Sequence, residues 1–339
     1  MKIKKQVPFL FLSSLLIAII LSISVLTLWA KDDGGSDSLT YLPVILNPMA
    51  TATPTPIIGP EWLEYLNGFR AASGLSSLTE ESAWSEGGQL HGRYMVKNDV
   101  VTHNEDPANE WYTVEGAEAA DHGNIYVSAS SSATFEQAMD WWLRAPFHAV
   151  PLLDPELQRT GFGIYNETAV SLNGFDWQMG ATVDVERGRD GLPAGVTFPI
   201  FYPANNGTTS FTQFAGNEYP DPLSGCSGYM EPVGSPLIIQ LGNGNSLVNV
   251  TGSRLQENGI DVDFCLIDEN SYVNSDSFEQ SIGRVILDLR DAVVLLPRNP
   301  LQDGATYFAE VTNDGTTHSW QFTVLNNQKT GPTGFGGAP

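Results

Sequence analysis

Residues 8–30 (PFLFLSSLLIAIILSISVLTLWA) run for 23 residues without a charge. Such a segment has no place in a water-exposed fold. As a helix rising ~1.5 Å per residue it reaches ~30 Å, the thickness of a hydrocarbon core. Residues 1–7 carry Lys2, Lys4 and Lys5 and no acid. That basic cytoplasmic segment stays inside and sends everything after Lys31 outward. The run reads either as a transmembrane anchor or as a signal peptide. Leu28-Trp29-Ala30 puts a large residue where a cleavage site wants a small one, which favours the anchor. The bulk of the chain is expected to be extracytoplasmic, membrane-anchored by the helix or secreted if it is cleaved.

The exported part must then supply the fold. Residues 31–56 form an acidic, Gly/Ser-rich and then Pro/Thr-rich linker, and residues 43–60 hold five prolines that favour an extended stalk. The chain carries 16 Lys+Arg against 39 Asp+Glu, a formal charge of -23. A phosphate backbone is repelled by that field, which excludes nucleic acid as a partner. Two cysteines, Cys226 and Cys265, are too few for a four-thiolate metal site. Outside the cytoplasm they are free to form one structural disulfide. The sequons at Asn166, Asn206 and Asn249 matter only in a host that glycosylates. Residues 326–339 lack periodicity and read as a flexible tail.

Residues 57–190 read as one α+β domain. Trp62, Tyr65, Leu66 and Phe69 make a helical stripe opening at Pro60 and stopping at Gly74. A second helix is expected from an N-cap at Thr79, with Trp84, His91, Tyr94 and Met95 along one side. His91 reads as a packed, hydrogen-bonded core residue. A third helix opens with Thr134 and Gln137 at capping-box spacing and is ended by Pro146. Glu136 and Asp140 on it read as a solvated acidic face. Thr160–Tyr165 and the alternating run from Phe175 to Glu186 read as an antiparallel hairpin, the second strand half-buried.

Several of these residues together resemble the CAP (SCP-like) superfamily, which covers cysteine-rich secretory proteins, antigen 5 and plant pathogenesis-related proteins. They are Asn67-Gly-Phe-Arg70 before Gly74-Leu75, the helical His91–Met95, Thr102-His103, Gly123-Asn124-Ile125, Trp142-x5-His148 and Gly161-Phe-Gly163. The resemblance implies an α-β-α sandwich with a cavity on one side, lined in many members by two His and two acids, some binding zinc or another divalent ion. Carried over, the two histidines are His103 and His148, the only metal ligands it implies. The acids are missing: Gly123 and Ala145 stand where they would be. Glu115, Glu118 and Asp121 are near enough to substitute, and His122 and Asn124 are further candidates for the cavity. A zinc site needs three or four ligands, so no cofactor is certain and a divalent metal such as zinc stays open. Hydrogen bonding across a pocket is the plainer role for the histidine pair.

Past the linker-like run 187–193 the pattern turns to period two. Short strands are expected at 238–241, 247–250, 260–266, 285–287, 293–296, 307–311 and 318–324, with Gly, Asn, Asp and Pro between them. Residues 195–325 therefore read as an all-β sandwich resembling the Ig-like module of some bacterial CAP proteins.

The function expected is an extracellular binding module with a His-lined cavity for a lipid, glycan, peptide or divalent ion. Its partner would be an extracellular ligand or envelope component, and its contact with the membrane the N-terminal helix. A groove lined by Trp111, Trp142 or Phe147 would point to lipid. The alternatives are a metal-assisted hydrolase using the same cavity and a structural or adhesive envelope protein. G-x-S-x-G and H-E-x-x-H are absent from the sequence, so catalytic residues are unassigned and an enzyme is not indicated.

Overall fold

The computed structural model describes residues 60–168 and 177–325. The apolar run at 8–30, the linker, the tail and most of the expected 166–174 turn lie outside them. No helix among the described residues is long and apolar enough to cross a membrane.

Helix α1 (Glu61–Ala72) buries Trp62, Leu63 and Leu66, the face the apolar stripe marks. The second helix starts later than the cap at Thr79 suggests. Thr79 and Glu80 are taken up as strand β1 (Thr79–Glu80), which runs parallel to β3 (Arg159–Thr160). Helix α2 therefore spans Ser82–Asn98. Helix α3 (Val114–Asp121) leads into strand β2 (Gly123–Ser128), which the sequence pattern did not reveal. The capping box at Thr134 and Gln137 forms, opening α4 (Phe135–Leu143). Pro146 is a start as well as a stop, because it occupies the first turn of a further helix, α5 (Pro146–Leu152), where its missing N–H costs nothing.

Strands β4 (Phe162–Asn166) and β5 (Met179–Asp184) pair antiparallel as expected, and β2 joins them in the order β2-β5-β4. Strand β5 is buried along its whole length, so the half-buried expectation is corrected. One face, Met179, Ala181 and Val183, shares a core with Trp62 of α1 and Trp142 of α4. The other lies under α2 and is closed by glycines. A Cβ on Gly163 would stand 1.9 Å from the Gln89 nitrogen, and one on Gly92 2.5 Å from the Gly180 oxygen. Helix and sheet approach this closely only because those positions carry no side chain.

The rest of the described chain forms two sheets. Strands β6 (Ile200–Tyr202), β8 (Leu237–Gln240), β11 (Phe264–Ile267) and β12 (Ala292–Pro297) pair in the order β11-β12-β8-β6. Strands β7 (Gly207–Thr209), β9 (Val250–Glu257), β10 (Ile260–Asp261), β13 (Thr306–Asn313) and β14 (Thr316–Val324) pair as β10-β9-β13-β14-β7. Leu237, Ile239, Val293 and Leu295 of the first sheet meet Leu255, Tyr307, Val311, Trp320 and Phe322 of the second. The alternate residues Ile238, Ala292, Val294 and Leu296 join the same core as α1, α4 and α5. The period-two pattern in β12 therefore separates two cores, and both of its faces are dry.

Residues 285–287 are helical rather than extended. They belong to α6 (Ser277–Asp288), whose cap Asp276 accepts the N–H of Phe278 at 2.8 Å and of Glu279 at 3.1 Å. The described residues are thus α+β, and 195–325 is not all-β because it contains α6. Cys226 and Cys265 are bonded, with Cα atoms 5.7 Å apart.

Across the boundary between helices and sheets, Phe69 stacks on Phe211 and Phe147 meets Tyr272 edge-on at 4.9 Å. Asp140 is drawn into this layer, accepting the Tyr65 hydroxyl at 2.5 Å. Burial pushes its carboxyl above the usual aspartate value, which corrects the reading of a solvated face.

Candidate functional site

The loop between α2 and α3 is anchored from beneath. His91, fully buried on α2, contacts the Thr102 carbonyl through Nε2 at 2.9 Å and Glu105 Oε1 through Nδ1 at 2.9 Å. A carbonyl only accepts, so Nε2 donates to Thr102 and Nδ1 faces the Glu105 carboxyl. The other Glu105 oxygen accepts the Thr113 N–H at 3.1 Å. Thr113 in turn caps α3, taking the Gly116 N–H at 3.0 Å. His91 is thus the packed residue its helical position suggested, while Glu105 carried no sequence signal of this role. Thr113→Ala is expected to lower stability by about 1 kcal/mol in urea denaturation.

Above this support lies an open groove of about 290 Å³ lined by His103, Asn104, Glu105, Tyr112, Val114, Ala117, Glu118 and Asp121. His103 Nδ1 lies 2.7 Å from the Ala120 carbonyl, so Nδ1 is the protonated nitrogen and Nε2 keeps the lone pair. Burial lowers its pKa, and the neighbouring His148 and His91 lower it further. The imidazole is held neutral. Glu118 and Asp121 are exposed on α3 at the rim.

His148 is placed differently. It sits near the start of α5 with its side chain 12% exposed, and it is absent from the groove lining. Its Nδ1 is 2.8 Å from Glu218 Oε1, and the same oxygen accepts its main-chain N–H at 3.0 Å. Its carbonyl accepts from Asn124 Nδ2 at 3.0 Å, and Trp141 meets its ring edge-on at 5.0 Å. Burial drives the His148 pKa down to about 3 and the Glu218 carboxyl well above the usual glutamate value. Both causes are loss of water, and both favour the neutral forms. His148 lies close enough to His103 that a charge on either ring would disfavour a charge on the other.

No acid stands three residues after Trp142, and the carboxylate that meets His148 comes from Glu218, 70 residues beyond that histidine. Ala145 is buried against Phe214 and Val233, in the region that also delivers Glu218. No local pattern could have indicated it. Of the nearer acids, Glu118 and Asp121 line the groove, and Glu115 is exposed in the first turn of α3 outside it. His122 caps the end of α3, its Nδ1 2.8 Å from the Glu118 carbonyl, and is also outside. Asn124 is buried and serves His148. Trp142 and Phe147 are core residues, and Trp111 lies beside Arg93 and Lys97.

Each imidazole has Nδ1 oriented by an oxygen, the arrangement found behind metal-bound histidines. A metal needs more. Among the described residues no group of three or more His, Cys, Asp or Glu is placed to hold an ion. The donors present do not complete a zinc site, and no metal-assisted step follows from them.

Residues 63–174 match the family model CAP, described as the cysteine-rich secretory protein family, a domain of extracellular type. The match covers the groove and both histidines and ends before Glu218. Neither the curated proteins nor the solved structures compared with the chain gave a match.

Proposed function

We propose that this chain is an exported, CAP-type binding module, anchored by the helix expected over residues 8–30, whose groove beside α3 captures a polar ligand rich in hydrogen-bond donors. The observation that carries this reading is the predominance of acceptors in the lining, in which Asn104 and Tyr112 are the donor-bearing side chains. His103 Nε2, Glu118 and Asp121 all offer acceptors, and the aliphatic contribution is Val114 and Ala117 alone. An ammonium group or a cluster of hydroxyls complements such a surface, and an acyl chain does not. The overall charge of -23 favours the encounter with a cationic ligand. The region 195–325, read as an Ig-like module, serves in this proposal as the brace that holds His148 and the helical layer in place.

The test is calorimetric titration of the full-length protein with tetralysine, chitotetraose and palmitate, beside His103→Ala and a Glu118→Gln/Asp121→Asn pair. Saturable binding of a donor-rich probe is expected, weakened at least tenfold in both variants, since a hydrogen bond to a charged group contributes about 1.5–3 kcal/mol. Tight binding of palmitate alone, or equal affinity in all three proteins, would overturn the reading.

A further inference from the structure

The described residues contain one lysine, Lys97, and it stands beside the same tryptophan as Arg93. The two cations are four residues apart on α2 and so share a helix face. The Arg93 guanidinium lies 5.5 Å from the centroid of Trp111 and Lys97 Nζ 5.1 Å from it. Lys97 is partnered by Glu167, which also accepts the Tyr165 hydroxyl at 2.6 Å.

Arg93 is the exception. Every other arginine among the described residues donates to a carboxylate or a main-chain carbonyl: Arg159 and Arg254 to carboxylates, for example, and Arg70, Arg284 and Arg298 to carbonyls. Arg93 makes no such bond to any described residue, although acids outnumber bases 39 to 16 in the chain. Its Nε is buried without a partner. The cation–π contact favours the pose, while a buried donor left unpaired opposes it, so an oxygen acceptor at Nε would complete the arrangement.

We propose that Arg93, Lys97 and Trp111 form a binding site for an oxyanion, the carboxylate or phosphate group of a ligand. The planar fork of Arg93 matches two oxygens of such a group, Lys97 adds a point charge, and Trp111 supplies a flat apolar wall beside it. Turning the guanidinium off the ring brings Nε and the terminal nitrogens to the anion together. The site is separate from the groove, whose lining includes neither cation.

The test follows the indole N–H signal of Trp111, identified by its loss in Trp111→Phe, in the full-length protein titrated with inorganic phosphate in one arm and succinate in the other. A saturable shift is expected with at least one anion, and the responding arm identifies phosphate or carboxylate as the preferred group. Arg93→Gln should weaken it at least tenfold, Arg93→Lys and Lys97→Gln about threefold each, and the exposed control Arg254→Gln should leave it unchanged. Melting temperatures of the Arg93 variants should stay near wild type, since no hydrogen bond is lost. No saturable shift in either arm, or an equal shift in Arg93→Gln, would overturn the proposal.

Discussion

Asp154→Ala is expected to lower the free energy of unfolding by about 3–5 kcal/mol. Asp154 is 1% exposed, and its Oδ2 receives Arg189 Nε at 2.7 Å and Arg290 Nε at 2.8 Å. Oδ1 accepts the Glu156 N–H at 2.8 Å. Arg290 is 3% exposed, and its pKa is already lowered by burial, against which Asp154 is the main opposing influence. Removing one member of a buried pair strands the other charge in a place water does not reach, which is why the cost exceeds that of a surface pair. Arg189 is 21% exposed and will recover part of its hydration, which keeps the loss within that range. Guanidinium denaturation read at two probes, tryptophan fluorescence and far-ultraviolet dichroism, measures it. A loss below about 1 kcal/mol would show that the pair is not an organising contact.

The second large effect concerns the cystine. Reducing it, or replacing both cysteines by serine, is expected to cost about 4 kcal/mol on the chain-entropy model for a loop of 39 residues. For a chain of this size that corresponds to a fall in Tm of roughly 10 °C. The bond fixes a segment with little regular structure to β11, and Glu218 reaches His148 from just upstream of that segment. Calorimetric scans with and without reductant should separate by that margin in wild type and coincide in the serine pair. Coincident scans in wild type would show that the loop is held by its packing.

What the sequence discloses follows the range of each signal. Apolar stripes and caps act within a few residues, and α1, α4 and the β4–β5 hairpin were legible for that reason. Asp276 and Glu279 carry a comparable capping signature for α6, but the apolar residues 285–287 resemble the period-two strands around them. Thr79 had the side chain of a helix cap, and pairing with Arg159, 80 residues later, claimed it for a strand. The groove was legible through the resemblance, which located His103 and left Glu118 and Asp121 as neighbours. Glu218 was not legible, because a buried carboxylate carried to a histidine 70 residues away leaves no local pattern. Arg93 is a similar case: that it has no carboxylate partner among the described residues leaves no trace in the local sequence.

Strand β12 gives alternate side chains to two cores, one of them shared with α1, α4 and α5. The stretch that carries the family likeness is therefore not a detachable cassette. Cut out at 63–174, it would lose β5 from the middle of its own sheet, and the faces bearing Phe69 and Phe147 would meet water. Any transplant or truncation of this chain has to follow the line where its apolar surfaces close, which lies well beyond the line where its sequence stops looking familiar.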